Sequence, residues 1–558
     1  VTLTETEGHW IVKADHFEAA LWAQGWVHAR TRADEALFAR ALFRSELSQS
    51  HKPGMAHSEI DAFIRSWGFD ENLRQERTAL SPEHMGQLLS YASGFEEQRQ
   101  SQRLWPWQRH EYPATPWQPE DSLLLSRTFG FMSWWETRGE LTWFLLELIQ
   151  KGVDWARLCD LIPDLGDEPD RRLWDSLQRP APLSPEATSL LGKLRRWRTG
   201  VRVNGSSWGV SMVTDVTEPG LPFLEMRFDL PEATIRGLSL PGLPGLLTGR
   251  SRHLTWNFSP SWGDIVDFRL LREGGMSMKW AGQHKTGTLA CFLRALSSTS
   301  VSQLRRATEN QGSAALTLMA RDEKGHSQVW ELGSRWKRVH PRDAWLPSVA
   351  SALVGASGSM PPHPVQLWLD QQQELPLRSK KVSAASLLTA EVSLQATTLL
   401  SQLRFLLPET EQGNSLRRWA GQPSQGPESQ LFQRVCTAVL RAFWNTSGVI
   451  PDLSSPPLHL LAPAIDRLLG SAHSAWLPSS IKNQVLRQAV HAELAQGTQV
   501  AELTSERLFS PRFLYWETLA GHSRVFAAVV IVTAEAESDT LSVFLTDDEN
   551  EPPVFHEL

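Results

Sequence analysis

Residues with the right types for chemistry gather in Val203–Phe268. Gly205-Ser206 places a hydroxyl directly after a glycine and just ahead of Trp208, and Gly263-Asp264-Ile265-Val266-Asp267 brings two carboxylates close together. A serine attacks a carbonyl only when a base lies within hydrogen-bond reach of its hydroxyl. Close carboxylates either gather oxygen ligands around a hard cation or form a solvated acidic turn. Late in the chain, His522-Ser523-Arg524 has the residue types of a hydrolytic site. Neighbours on one strand point to alternate faces and form no triad, so these three read as structural. His28 lies in a helical pattern and reads as a packing or capping histidine.

The elements that must position these residues follow from pattern. Val203–Phe268 reads as four short strands of apolar and β-branched residues, divided by Gly/Pro turns. The first two hundred residues read as helical. Phe17–Leu47 repeats apolar residues at three- and four-residue spacing and is rich in Ala, Leu, Arg and Glu. Ser81-Pro82-Glu83 is a helix start, with serine as the cap and proline at the first position. Pro116–Asp121 opens a helix expected to reach about Gln150, and Leu190–Arg198 reads as a basic helix joined to Val203 by a Thr199-Gly200 turn. Farther on, Ala290–Leu304 reads as a helix and Ala315–Gly333 as a hairpin. Ser386–Leu407, Gln430–Trp444 and Ile481–Gly497 read as amphipathic helices, and Phe526–Thr533 as a strand.

Composition sets wider bounds. The chain has 558 residues, 41% of them hydrophobic, which suits a globular protein of several layers or more than one domain. No apolar run is long enough for a membrane span. A net charge of −7 argues against a nucleic-acid partner. Cys159, Cys291 and Cys436 are odd in number, far apart and without a C-x-x-C motif, so neither a disulfide framework nor a zinc site is expected. The 25 tryptophans read as large aromatic packing.

Gly237–Gly249 and Trp256–Asp267 carry a more specific signal: the glycine–proline turns of P-G-L-P-G, followed by a tryptophan strand and G-D-I-V-D. In the helical half, Gly25, His28, Ala29 and Arg32 form a second motif. Asp61-x-x-x-Arg65 and the Leu80–Gly94 run add to it. Together these resemble the penicillin acylase family of the N-terminal-nucleophile (Ntn) hydrolases. The resemblance implies an α+β fold, the four-layer αββα sandwich with additional helical regions. It divides the chain into a helical segment (1–200), a sheet core (201–350), a helical and loop insertion (351–510) and returning strands (511–558). It also implies self-cleavage at a Gly-Ser bond, which frees a serine whose own α-amine is the base. A structural calcium would be held by Glu140, Asp264, the carbonyl of Val266 and Asp267. Relatives of this family are exported to the periplasm, and the start at Val1 fits a removed signal peptide or a trimmed tag.

The departures from the family pattern matter as much. The family tryptophan stands three residues after the nucleophile, whereas Trp208 stands two after Ser206, so an ungapped alignment puts Gly205 in the nucleophile's place. One residue of slip on a strand turns a side chain to the other face unless a bulge absorbs it. The wall loop expected between Met212 and Pro222 is missing, and Glu374–Val382 lacks the asparagine that donates to the oxyanion. Loss of one such donor costs about 3 kcal/mol of transition-state stabilisation. The expectation is therefore an inactive, uncut acylase-like chain serving as a structural or binding subunit with protein partners. An active amidohydrolase with Ser206 as nucleophile is the alternative, and a non-catalytic binder of an acyl or aromatic ligand is the third reading.

Overall fold

The computed structural model describes residues 1–6, 9–50, 53–101, 115–134, 148–149, 151–161, 187, 198–204, 207–214, 224–260, 266–270, 276–309, 311–324, 326–333, 394–419, 427–446, 465, 468–471, 473–495, 526–533, 541–545 and 554–557. In chain order the elements begin with strands β1 (Thr2–Thr6) and β2 (His9–Lys13). Helices α1 (Phe17–Phe43), α2 (Met55–Ser66), α3 (Leu73–Ala79), α4 (Pro82–Ser101), α5 (Pro119–Trp134) and α6 (Trp155–Leu161) follow. Next come strands β3 (Arg198–Asn204), β4 (Ser207–Thr214), β5 (Leu224–Asp229), β6 (Thr234–Leu240), β7 (Leu243–Arg250), β8 (Leu254–Pro260), β9 (Val266–Leu270) and β10 (Met276–Trp280). Helices α7 (Thr288–Ser297) and α8 (Val301–Thr308) lead to β11 (Leu316–Asp322) and β12 (Ser327–Leu332). Helices α9 (Leu394–Leu403), α10 (Glu411–Arg418), α11 (Pro427–Thr446) and α12 (Ser479–Ala495) precede β13 (Phe526–Thr533), β14 (Leu541–Leu545) and β15 (Val554–Glu557).

An eight-stranded sheet runs β1-β2-β5-β6-β7-β8-β11-β12, and a five-stranded sheet runs β15-β14-β13-β4-β3. Among the described residues, every pairing is antiparallel except β2 with β5. In the larger sheet one face carries Met226, Phe228, Ile235, Trp256, Phe258 and Leu318, which are buried together with α1, α4, α5 and α7 in one core. Phe292 of α7, for example, meets Phe258 edge-on at 4.8 Å. In the five-stranded sheet, β3 comes up against β8. The class is α+β. A helical layer and two sheets of the expected sandwich thus fall among the described residues.

Two glycines let α1 and α4 approach backbone to backbone. A Cβ on Gly94 would stand 1.9 Å from the Trp22 carbonyl oxygen, and one on Gly25 would stand 2.1 Å from that of Tyr91. No side chain fits at those distances, so the pair of helices is set by the absence of side chains. Tryptophan does much of the remaining filling: Trp67, Trp256, Trp280 and Trp476 are among the largest fully buried side chains. A second core forms apart from the first. It joins Leu148, Ile149 and α6 to α9, α11 and α12, with Trp444 against Trp476 at 4.5 Å.

Several elements differ from the sequence reading. The chain opens with two strands, because β1 and β2 find their sheet partner at β5, far along the chain. Gly237–Gly249 makes two strands rather than one, since Gly242 takes φ +90 and reverses the chain. The expected Thr199-Gly200 turn and the end of the basic helix are strand, within β3. Ala290–Leu304 is two helices, broken where the Ser300 hydroxyl accepts the Gln303 N–H and caps α8. The Ser81 start of α4 and the β11–β12 hairpin are as read.

Candidate functional site

β3 and β4 are consecutive antiparallel strands, paired from Arg198↔Val213 to Asn204↔Ser207. Gly205 and Ser206, which lie between them in sequence, fall outside the described residues. Trp208 is the register partner of Val203 on one side and of Val532 on the other, so β4 is an interior strand with β13 as its second neighbour. The calcium candidates divide in the same way. Glu140 and Asp264 lie outside the described residues. Val266 and Asp267 begin β9, opposite Trp280 and Lys279 of β10. No group of three or more His, Cys, Asp or Glu that would hold a metal occurs among the described residues. Glu374–Val382 and His522–Arg524 also lie outside them.

His28 is placed, and it is not a catalytic base. Its Nδ1 lies 2.7 Å from the Tyr91 hydroxyl and its Nε2 lies 2.9 Å from Ser239 Oγ. Ser239 donates to the Leu224 carbonyl at 3.1 Å, and Tyr91 Oη accepts the Gly242 N–H at 3.0 Å. With the Ser239 proton committed, Nε2–H donates to Ser239, and Nδ1 accepts from Tyr91. The chain of bonds therefore needs a neutral imidazole. Burial agrees, lowering the His28 pKa to about 3 and raising that of Tyr91. The network ties α1 and α4 to the β6–β7 turn. Beside it, the Gln24 amide bonds both backbone groups of Gly245.

A second buried fixture was not legible in the sequence. The Arg127 guanidinium donates to Glu76 Oε2 and the Lys285 carbonyl, both at 2.8 Å, to the Gln283 carbonyl at 2.9 Å, and to the Phe69 carbonyl at 3.1 Å. It lies 5.2 Å from the centre of the Trp280 ring, and Glu76 Oε1 accepts the Gly287 N–H. Burial raises the Glu76 pKa more than Arg127 lowers it, so the pair fixes position at an electrostatic cost. It clamps α3 and α5 to the end of β10 and the start of α7.

The second face of the eight-stranded sheet carries polar residues with little exposure. Glu225, Leu238, Thr248, Asn257 and Met319 follow one another as register partners across β5, β6, β7, β8 and β11. Thr248 donates to Asn257 Oδ1 at 2.5 Å, while Asn257 Nδ2 has no partner although the residue is only 3% exposed. Glu225, held at about 7 by burial against the pull of Arg236, stands on the same face.

The chain is similar to several known proteins. The penicillin amidase family model matches residues 1–275. The acyl-homoserine lactone acylase QuiP of Pseudomonas putida is 25% identical over 300 residues, 49% of this chain and 36% of that protein. QuiP of Pseudomonas syringae pv. tomato is 27% identical over 293 residues, 47% of this chain and 34% of that protein. The match therefore spans about a third of these relatives' own length. Among solved structures, a thermostable penicillin G acylase from Alcaligenes faecalis aligns over 62% of this chain and 89% of its own, with 12% identity and a TM-score of 0.38. Residues 1–275 of this chain thus resemble the penicillin amidase family.

Proposed function

We propose that this chain is an acylase-type protein that stays uncut and does not hydrolyse amides, serving as a structural or binding subunit of a larger assembly. The observation that carries the reading is the loss of family features in the sequence: no wall loop between Met212 and Pro222 and no oxyanion asparagine in Glu374–Val382. An N-terminal nucleophile needs a free α-amine on the residue that bears the hydroxyl. In an uncut chain that nitrogen stays in a peptide bond, where it is no base. The slip between Ser206 and Trp208 supports the same conclusion. An exported compartment and a structural calcium at Glu140, Asp264, Val266 and Asp267 belong to this proposal. Metal content after exhaustive dialysis tests the second.

The names of the relatives favour one other reading, acylase activity on an N-acyl homoserine lactone or a β-lactam, with Ser206 freed by a cut after Gly205. The intact mass of the native protein, beside Ser206→Ala, separates the two. One uncut chain in both samples supports the proposal. Two fragments meeting at Gly205/Ser206 in the wild type alone would end it and restore the hydrolase.

A further inference from the structure

Helix α12 has an outer face that the second core does not use. Leu486, Val490 and Leu494 of α12 are buried in that core, and Lys482 turns inward, donating to the carbonyls of Leu469 at 3.0 Å and Ser471 at 2.6 Å. On the outer side, Asn483, Gln484, Arg487, Gln488 and His491 line a concavity of about 480 Å³, a volume in the range of small-molecule sites. All five side chains are exposed, and none has a hydrogen-bond or ion-pair partner among the described residues. Glu493, the one acid of the helix, is turned toward α11, where it holds Arg434 at 2.7 Å. The concavity thus presents a guanidinium, an imidazole and three carboxamides, with no carboxylate of α12 among them, on a chain whose net charge is −7. Asn483, Arg487 and His491 recur every four residues and form one row along the helix; Gln484 and Gln488 form a second row beside it. Neighbours in a row are about 5–6 Å apart, so Arg487 and His491 can donate to one oxyanion set between them, the guanidinium through two parallel N–H bonds. A carboxamide offers both donor and acceptor, which matches hydroxyl groups.

We propose that this face of α12 binds a small polyhydroxylated anion, its phosphate or carboxylate oxygens held by Arg487 and His491 and its hydroxyls by Asn483, Gln484 and Gln488. The site lies outside residues 1–275 and is independent of whether the chain is cut. No covalent bond is made or broken.

The test is calorimetric titration of the full chain at low salt with sorbitol, gluconate and sorbitol 6-phosphate, which share an open-chain polyol and differ in the head group. At least one of the two anions is expected to bind about tenfold more tightly than sorbitol, and the tighter of them names the head group. Arg487→Gln is expected to remove that advantage. Arg441→Gln, which takes away an exposed arginine of α11 instead, is expected to keep it. Both positions are exposed, so both variants should fold. Equal affinity of wild type for all three probes, no binding of any, an advantage that survives Arg487→Gln, or the same loss in both arginine variants overturns the proposal.

Discussion

Acid should find this protein at His28. The imidazole is fully enclosed and must be neutral to keep Tyr91 as donor and Ser239 as acceptor. Its pKa is near 3 in the fold, against an ordinary value of 6.5 in the unfolded chain. Between those values the unfolded state binds the extra proton, so stability falls as pH falls, and the loss is complete only below the folded pKa. From pH 7.5 to pH 4 this one group removes about 3 kcal/mol. His28→Gln keeps one acceptor and one donor but does not titrate. Urea unfolding of both proteins, followed by tryptophan fluorescence at intervals from pH 7.5 to 4, isolates the contribution. The wild type should lose about 3 kcal/mol more than the variant over that range, whatever the other groups do. Curves that run parallel would refute the reasoning, since they would mean that the imidazole reaches water or a carboxylate in the fold.

Other outcomes follow from the same packing. Arg127→Met leaves Glu76 buried without its cation and should cost about 3–5 kcal/mol in a denaturant titration. Gly94→Ala forces α1 and α4 apart and should lower stability by about 2–3 kcal/mol or more, read by thermal melting. Glu225→Gln should stabilise the protein at pH 8 and change little at pH 5. The raised carboxyl pKa means that the fold favours the protonated form, and this contribution is lost as pH rises through about 7.

Local signals carried far in this sequence and then stopped. Ser81-Pro82 announced α4, and the glycine–proline runs announced sheet around β6 to β8 but not the reversal at Gly242, because caps and turns are written in adjacent residues. β1 and β2 were missed because β2 pairs with β5 in parallel, across most of the helical layer, and no turn residue marks such a pairing. The break after α7 needed only Ser300 as a cap, but apolar spacing across it looked continuous. The acidic pair at Asp264 and Asp267 stood out by type. Thr248 and Asn257 did not, for their relation exists only once β7 and β8 are in register. Arg127 is an ordinary residue of an apolar helix until Glu76 and the carbonyls after β10 close around it.

The second core has a consequence for how the chain is made. Its first members, Leu148, Ile149, Leu158 and Leu161, precede their partners from Leu399 onward by a long stretch of synthesis. At roughly 5–20 residues per second, that delay is on the order of 10–50 s. Throughout it, α6 has left the ribosome while the surface it must cover does not yet exist. A nascent chain stalled between Leu161 and Leu399 should therefore hold an exposed leucine-rich face available to a chaperone. The lobe can close only once α12 has emerged.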